Sequence, residues 1–333
     1  MPEKIKFGVI GCSRIATRSV IPAIKKSAIA ELQIVGSRTQ KKAEEVATKF
    51  GCTRFGNYED VLNSDVDAVY VSLPIALHEE WTTKAAIAGK HVLCEKSSTI
   101  SYDSAKRMVS TAKQSNVRLM EGFMFRFHPQ HQKVREIINN HMLGDLFLFS
   151  GNYGFPPVSH DDIRYNKELG GGILNETGCY PVCASRMIFD DEPVSVMCDL
   201  VFDDSVKVDT KGHASILFDD ERIATVSFSF DSYYQANYKI WGKTGLIEVN
   251  RAYAIPPDLA TKVHLQIGNE KKELEIGPAD HFSIMIDSFS KEIANLEKAG
   301  FNFEQDLLYQ ARLMEALRLA DKSKKRIFLS DIQ

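Results

Sequence analysis

Lys96 is the residue of this chain best placed for proton chemistry. It belongs to residues 91–97, HVLCEKS, in which an apolar run is followed directly by an acid, a base and a small polar residue. In an open α/β sheet the carboxyl ends of the strands face the ligand crevice, where partial burial beside a charged neighbour can tune a lysine pKa. The alternative is an ordinary surface lysine at a strand end.

A second group of polar residues lies near the middle of the chain. Glycines 170–172 precede a helical pattern that contains Glu176 and Tyr180. Consecutive glycines allow a ligand to approach the backbone, and residues four apart share one helix face. The side chains of tyrosine and lysine can both donate a proton, so Tyr180 and Lys96 are candidate general acids. The alternative for Tyr180 is a packed helix tyrosine.

A cofactor site is predicted where the first strand turns into the first helix. A β-rich run at residues 5–10 is followed by GCSRIA at 11–16 and a helical pattern. Gly11 supplies the tight turn of a dinucleotide-binding fingerprint, and Ala16 allows close helix packing. Ser13 replaces the second glycine, and its hydroxyl can donate a hydrogen bond to a phosphate. An ordinary strand-to-helix turn is the alternative.

The end of the second strand indicates which dinucleotide is bound. Ser37, Arg38 and Thr39 stand where an NAD-selective site usually places an acid on the ribose 2′-hydroxyl. An arginine flanked by hydroxyls suits a 2′-phosphate, so NADP(H) is the preferred cofactor and NAD(H) the second choice. Alternatively, Arg38 simply opens the helix predicted at 41–50.

The elements that position these residues change character along the chain. Strands and helices alternate up to residue 122, which predicts an α/β, doubly wound Rossmann domain at 1–122. Longer strands of alternating polarity follow, with a hairpin signal at 218–222. They predict a C-terminal α+β domain at 123–333 with a large, mostly antiparallel open sheet. An amphipathic helix from Asp306 to Ala320 is predicted to pack on the core.

Composition excludes several classes of function. The 333 residues are 44% hydrophobic and 26% charged, as in globular proteins, and a net charge of -3 argues against a dedicated nucleic-acid binder. No signal peptide precedes the first strand and no apolar run approaches membrane length, so a cytoplasmic protein is expected. The six cysteines are scattered without a Cys-x-x-Cys pair, which predicts reduced thiols and no metal site.

Five motifs of the first 130 residues occur together in one family. They are GCSRIA at 11–16, SR at 37–38, LP at 73–74 with His78, EK at 95–96 and EGFMFRFHPQ at 121–130. This set resembles the Gfo/Idh/MocA (glucose-fructose oxidoreductase/inositol dehydrogenase) family, and the resemblance implies an NAD(P)-dependent oxidoreductase. In that family a proline normally follows the Glu-Lys pair, where this chain has Ser97.

The second half resembles one branch of that family. The family signature Gly-Gly-Gly-x-x-x-Asp-x-x-x-His is present with Glu176 and Tyr180 in place of the acid and the histidine. Tyr180, DIRY at 162–165 and the aromatic series at 234–257 resemble the nucleotide-sugar 3-ketoreductases of deoxysugar biosynthesis. The stretch at 123–130 is also similar to the aldose and dihydrodiol dehydrogenases.

The resemblance implies a role for each site residue. Tyr180 is expected to donate the proton while Lys96 relays it or stabilises the alkoxide, and the sequence leaves an exchange of these roles open. The predicted cofactor-binding residues are Gly11, Cys12, Ser13, Arg14, Ile15, Ser37, Arg38, Tyr58, Leu73, Pro74, His78, Glu95, Lys96, Arg164 and Glu176. The predicted substrate-binding residues are Arg126, His160, Tyr180 and Tyr234.

The predicted function is NADP(H)-dependent reduction of a 3-keto group on a nucleotide-linked hexose. An NADP-dependent aldose 1-dehydrogenase or a dihydrodiol dehydrogenase is the alternative enzyme, and a non-catalytic NAD(P)-binding regulator is the alternative of another class. The family resemblance further implies that residues 1–122 bind NADP, that residues 123–333 bind substrate, and that exposed sheet faces bury one another in a homodimer or homotetramer.

Overall fold

The chain divides into two compact units. A computed structural model describes residues 3–159, 161–295, 297–298 and 300–333. The first unit consists of Met1–Phe123 and Phe282–Ala311, and the second consists of Met124–His281 and Arg312–Gln333.

A parallel six-stranded sheet forms the centre of the first unit. Its strands are β1 (Ile5–Ile10), β2 (Ala30–Gly36), β3 (Phe55–Gly56), β4 (Ala68–Val71), β5 (His91–Cys94) and β6 (Leu119–Glu121). The connecting helices are α1 (Ile21–Lys26), α2 (Gln40–Phe50), α3 (Tyr58–Leu62), α4 (His78–Ile87) and α5 (Tyr102–Gln114). The strand order is β3-β2-β1-β4-β5-β6. The chain adds β2 and β3 on one side of β1 and then adds β4, β5 and β6 on its other side, and β1 pairs in parallel with both β2 and β4. The predicted doubly wound sheet is therefore confirmed.

Local sequence explains where several of these elements begin and end. All four residues of β4 are buried, as expected for a central parallel strand covered on both faces. Gly51 ends α2 with a left-handed φ of +65°. Asn57 and Asp60 form a reciprocal capping box at the start of α3.

The remaining elements are longer and include most of the antiparallel strands. In chain order they are α6 (Pro129–Asn139), β7 (Leu146–Gly154), α7 (Cys179–Phe189), β8 (Ser195–Phe202), β9 (Asp209–Leu217), β10 (Ile223–Ser229), β11 (Gln235–Gly242), β12 (Gly245–Val249), β13 (Thr261–Ile267), β14 (Glu270–Ile276), α8 (His281–Ile293), α9 (Phe303–Ser323) and β15 (Ile327–Phe328).

A nine-stranded sheet with one packed face forms the second unit. Its order is β14-β13-β12-β11-β7-β10-β9-β8-β15. β7 pairs with β10 in parallel, and its pairing with β11 is antiparallel, as are the other pairs. Helix α7, whose residues are all buried, packs against β7 and β10. The predicted hairpin joins β9 to β10, where the N–H of Phe218 donates to the carbonyl of Arg222 at 2.8 Å. The mostly antiparallel sheet is confirmed.

Residues 282–311 return to the first unit, although the sequence analysis groups them with 123–333. Phe289 of α8 packs against Phe7 of β1, with ring centroids 6.5 Å apart. Arg118 forms ion pairs with the nearly buried Glu292 and Glu304, the second at 2.9 Å. These contacts join parts of the chain more than 150 residues apart, which no local pattern encodes. The functional roles of the two domains stay predictions.

The closing helix is longer than predicted. It was expected from Asp306 to Ala320, and α9 runs from Phe303 to Ser323. Its apolar stripe is buried as predicted, with Leu307 and Leu317 both fully inaccessible. In the part of the chain that the structure describes, no helix combines the length and apolar character needed to cross a membrane.

Candidate active site

The first strand ends in a turn that excludes any side chain at Gly11. Gly11 has a φ of +99°, and a Cβ there would lie 2.5 Å from the carbonyl oxygen of Ser72. The Ser13 hydroxyl lies within hydrogen-bonding distance of the Ser72 hydroxyl and accepts from the N–H of Ala16 at 3.1 Å. Ser13 therefore connects the turn after β1 to the end of β4. Gly11 therefore meets the requirement of this kind of fold for a glycine in the tight turn after the first strand.

A cluster of basic residues follows β2. Arg38 is exposed, and α2 begins with Lys41 and Lys42 and has no acid in its first turn. The positive end of the helix dipole normally favours acids here, so three cations in this place suit an anionic ligand. Tyr58 lies beside them: burial raises its pKa, and Arg38 opposes the shift. These residues fit a ribose carrying a 2′-phosphate.

Cys12 lies between these two regions. Its thiol contacts the carbonyl oxygen of Gly36 at 3.8 Å. Burial raises the pKa of Cys12, and a hydrogen bond with Ser37 partly offsets that shift. Next along the turn, Arg14 is exposed and Ile15 is half-buried. The predicted cofactor residues 11–15 and 37–38 thus lie at neighbouring strand ends.

Lys96 follows β5 in a loop whose neighbours are buried. Glu95 is 9% exposed and accepts a hydrogen bond from the Tyr70 hydroxyl at 2.6 Å. The N–H of Ser98 donates to a carboxylate oxygen of Glu121 at 2.7 Å. Lys96 itself is half-buried, and the peptide bond that joins it to the next residue is cis. The loop therefore holds its lysine through buried hydrogen bonds on both sides.

His78 connects that loop to the end of β4. Its Nε2 lies 2.8 Å from the carbonyl oxygen of Leu73, and its Nδ1 lies 3.0 Å from that of Ser97. Burial lowers the pKa of His78 to about 4, although the neighbouring carbonyl groups favour the charged form. The nearby Lys96 ammonium also lowers it. Neutral His78 therefore positions the lysine loop against Leu73 and Pro74.

Tyr180 lies in an aromatic cluster in the second unit. We use this name for Phe125, Tyr153, Tyr180 and Tyr253. The Tyr180 ring is 5.8 Å from Phe125, 5.2 Å from Tyr153 and 5.7 Å from Tyr253 between centroids. Tyr180 is 6% exposed, and its hydroxyl is 3.8 Å from the sulfur of Met124. Such surroundings disfavour a phenolate, and burial raises the pKa of both Tyr153 and Tyr253.

Arg164 and Glu176 form an ion pair at the edge of this cluster. Arg164 Nε lies 3.3 Å from a Glu176 oxygen, and its Nη1 lies 2.8 Å from Asp162. Glu176 belongs to a π-helical turn, Leu174–Gly178, so the α-helical spacing assumed in the sequence analysis does not describe this segment. Glu176 and Tyr180 nevertheless both border Tyr153, whose pKa the Glu176 carboxylate helps to raise.

The predicted substrate residues have different surroundings. Tyr234 is half-buried under Arg251, whose guanidinium carbon lies 4.7 Å from its ring centroid. Arg126 is half-buried in the short 3-10 turn Met124–Phe127. His160 lies outside the described residues.

Two family models match the chain in succession. The model described as "Oxidoreductase family, NAD-binding Rossmann fold" matches residues 5–123, and the model described as "GFO/IDH/MocA C-terminal domain" matches residues 131–248. The chain belongs to the Gfo/Idh/MocA oxidoreductase family. The resemblance inferred from the sequence motifs is thereby confirmed.

Relatives in this family share nearly the whole length of the chain. A dTDP-3,4-didehydro-2,6-dideoxy-alpha-D-glucose 3-reductase from Actinomadura kijaniata is 32% identical, over 94% of this chain and 95% of its own. A D-xylose 1-dehydrogenase (NADP(+)) from Haloferax volcanii is also 32% identical, over 90% and 93%.

A solved structure gives the same fold. It is that of a 3-ketoreductase from Actinomadura kijaniata in complex with NADP and TDP-benzene, with a TM-score of 0.91 and 32% identity, covering 96% of this chain and 98% of its own. Structures of the same ketoreductase also exist with one tyrosine changed to phenylalanine and with one lysine changed to alanine.

Several residues around the predicted Gfo/Idh/MocA site were not assigned a role from the sequence. Tyr70 and Glu121 bind the lysine loop, and Tyr153, Arg251 and Tyr253 lie around Tyr180 and Tyr234. The inward face of β7 offered one usable signal, because Phe149, Gly151 and Tyr153 alternate on it. Arg251 belongs to the series at 234–257 that carries the resemblance, but its contact with Tyr234 is formed only in the tertiary fold.

Proposed function

We propose that this chain is an NADP(H)-dependent reductase of a 3-keto group on a nucleotide-linked hexose. The pair that carries the proposal is a buried phenol, Tyr180, and a lysine held at a strand end, Lys96. The Actinomadura kijaniata ketoreductase supports it: its altered tyrosine follows its altered lysine by as many residues as Tyr180 follows Lys96.

NADP(H) is the proposed cofactor. When bound, it supplies the hydride that the carbonyl carbon accepts. The tight turn at Gly11 fits the first glycine of a dinucleotide fingerprint, and Arg38 with the basic start of α2 suits the 2′-phosphate. The xylose dehydrogenase and the ketoreductase named above are both described with NADP, which supports this choice over NAD.

Tyr180 and Lys96 divide the proton chemistry in this proposal. The Tyr180 hydroxyl donates its proton to the carbonyl oxygen, so that the new C–O–H group forms as the carbonyl double bond is lost. The Lys96 ammonium stabilises the developing alkoxide or returns a proton to the tyrosine. A phenol with apolar neighbours stays protonated until it is needed, and the hydrogen-bonded loop limits where the ammonium can lie.

The other predicted residues are proposed to hold the two reactants. Arg164 and Glu176 orient the nicotinamide side and the sugar, and Arg126 and Tyr234 contact the substrate. The ion pair between Arg164 and Glu176 supports a shared role, since each fixes the other's side chain.

A second candidate activity is oxidation of a free aldose with NADP. The Haloferax volcanii xylose dehydrogenase supports it, because it is as similar to this chain as the ketoreductase is. The same residues would then act in reverse, with Tyr180 accepting the proton of the sugar hydroxyl as it passes its phenolic proton to an unprotonated Lys96.

We also propose that two copies of the chain pair through the exposed face of the nine-stranded sheet. On this face Ser150 bonds Thr225 at 3.1 Å and Asn152 bonds Asn237 at 3.0 Å, while Trp241 is 54% exposed. A flat surface of short polar residues beside an exposed indole suits a self-complementary contact. Sedimentation of the wild-type chain and of Trp241→Glu tests this, with a shift to monomer expected for the variant.

The experiment that tests the function compares two sets of substrates. NADPH and NADH consumption is measured with a dTDP-linked 3-keto sugar, beside NADP reduction with a panel of free aldoses. Turnover of the keto sugar with NADPH supports the proposal. Turnover of aldoses alone assigns the chain to the sugar dehydrogenases. Tight NADP binding without turnover of any substrate contradicts both activities and favours the regulator.

A further inference from the structure

Arg251 is a cation without a carboxylate partner. Its Nε is buried and has no hydrogen-bond acceptor, and among the described residues no acidic group lies within ion-pair distance of its guanidinium. Other arginines of the same unit differ: Arg164 binds Asp162, and Arg186 binds Glu192 at 2.6 Å. A partly buried guanidinium without an anionic partner still has N–H donors available, and binding an anion would compensate its buried charge.

The backbone around Arg251 is held firmly. Its carbonyl accepts a hydrogen bond from the Gln130 amide at 2.8 Å. The next residue, Ala252, donates to the carbonyl of Ala236 at 2.6 Å, and its own carbonyl lies 2.8 Å from Nε2 of the buried His131. The side chain therefore starts from a fixed position, and Tyr234 covers one side of its guanidinium. The terminal Nη groups are left to bind a ligand.

Aromatic contacts connect Arg251 to Tyr180. Tyr253, two residues further on and so at most about 7 Å away along the chain, has its ring 5.7 Å from that of Tyr180. On the other side, the Tyr234 phenol lies close enough to raise the pKa of Tyr153, whose ring is 5.2 Å from Tyr180. The guanidinium is thus connected to the proposed proton donor through the rings of Tyr234 and Tyr153.

We propose that Arg251 binds the diphosphate of the nucleotide carrier, with Tyr234 stacked behind it. Phosphate oxygens match the planar fork of a guanidinium, and the guanidinium of Arg164 in the same unit is already paired with Asp162 and Glu176. The inference rests on the proposed nucleotide-sugar function. It assigns Arg251 as the residue that makes the enzyme prefer a nucleotide-linked substrate over a free sugar. An uncharged aldose gives this cation nothing to bind.

Calorimetric titration of the NADP-saturated enzyme tests the inference. The titrants are dTDP, UDP and thymidine, and the proteins are the wild type, Arg251→Ala, Arg251→Lys and the control Arg326→Ala, whose guanidinium bonds Ser195 at the sheet edge. We expect Arg251→Ala to weaken dTDP binding by roughly 10- to 100-fold, as loss of a charge-assisted contact does. The dTDP affinity of Arg251→Lys should lie between those of the wild type and Arg251→Ala, because an ammonium keeps the positive charge but lacks the planar, two-pronged geometry of a guanidinium.

Three readouts separate this role from a structural one. NADP affinity and thermal unfolding should stay at wild-type values, and with the nucleotide-linked sugar KM should rise far more than kcat falls. Unchanged dTDP affinity in a folded Arg251→Ala protein overturns the inference and leaves the proposed function standing. A wild-type enzyme that binds neither dTDP nor UDP, whether or not it oxidises free aldoses, overturns the nucleotide-sugar function and this inference with it.

Discussion

The loop that carries Lys96 and the cluster that carries Tyr180 are built from opposite kinds of contact. Around Lys96, buried polar groups hold the backbone: Tyr70 binds Glu95, and His78 contacts the carbonyl of Ser97. Around Tyr180 the contacts are ring against ring. Each environment suits the form its residue must keep. Carboxylates and carbonyl groups favour a charged ammonium, whereas apolar neighbours favour a neutral phenol.

The two proton donors of the proposed mechanism therefore have different surroundings, with polar groups beside the lysine and aromatic rings around the phenol. Burial alone would discharge a lysine, because desolvation lowers its pKa. The lysine loop leaves Lys96 half-buried rather than fully buried. A tyrosine has no such conflict, because desolvation raises the pKa of a phenol and so favours the protonated form that a proton donor needs.

Removal of either proton donor should have the largest effect. Tyr180→Phe keeps the ring contacts and Lys96→Met keeps the aliphatic stem, so both variants should fold. We expect kcat for the keto sugar to fall by roughly 10²- to 10⁴-fold in each. If the two act as a unit, the double variant should be little worse than the singles. Stopped-flow NADPH oxidation measures this, and full activity in Tyr180→Phe would refute the role of the phenol.

Acid should destabilise the region next to the aromatic cluster. Burial lowers the pKa of His128, His131 and His281 to about 4, about 3 and about 4. An unfolded histidine binds its proton near pH 6.5, so the stabilisation is complete above that pH and is lost as the pH falls towards 4.

The expected slope is up to about 1.4 kcal/mol of unfolding free energy per pH unit for each histidine. Urea unfolding between pH 8 and pH 4 measures it, with the exposed His141→Gln as the control that should keep the slope. A free energy of unfolding that does not change over this range would contradict the buried neutral state.

Cofactor preference should depend on Arg38. Arg38→Ala removes the cation proposed to bind the 2′-phosphate, so NADPH affinity should fall by roughly 10- to 100-fold while NADH affinity changes little. Fluorescence titration with both dinucleotides measures the ratio. The control is Arg54→Ala, whose partner is the exposed Asp65 on the surface. Equal losses for both dinucleotides would place Arg38 outside the ribose site.

The smallest expected effect is on stability in the lysine loop. Tyr70→Phe removes one hydrogen bond from the buried Glu95 while keeping the ring, so the unfolding free energy should fall by about 1–3 kcal/mol. The activity should fall less than in Lys96→Met. A matched change in the cluster, Phe125→Leu, should lower stability through packing while leaving the pH profile of kcat unchanged.

The alternation of strands and helices in the first unit could be predicted because the apolar runs of β1, β2, β4 and β5 are local, whereas the two-residue β3 before Tyr58 was not predicted. The sequence did not predict what the Ser13 hydroxyl would bond. Ser72, its partner, is 59 residues away, and the choice is set by how β1 and β4 align. Contacts of this kind depend on the packed fold rather than on any spacing along the chain.

The substrate side was less predictable for a related reason. Glu176 and Tyr180 were placed from α-helical spacing, but residues 174–178 adopt a wider π-helical turn. Tyr153 and Arg251 acquire their positions through the pairing of β7 with β11 and through the anchored segment after β12. Sequence periodicity shows which face of a strand is buried, but it does not show which buried side chains will contact one another.

Because residues 282–311 belong to the first unit, that unit cannot finish folding until most of the chain has been synthesised. During synthesis, residues 124–281 are made before residues 282–311. Until then Phe289 cannot pack against Phe7, and Glu292 and Glu304 cannot pair with Arg118. At the usual elongation rate that delay is on the order of ten seconds. The nascent six-stranded sheet spends this time with part of its surface uncovered.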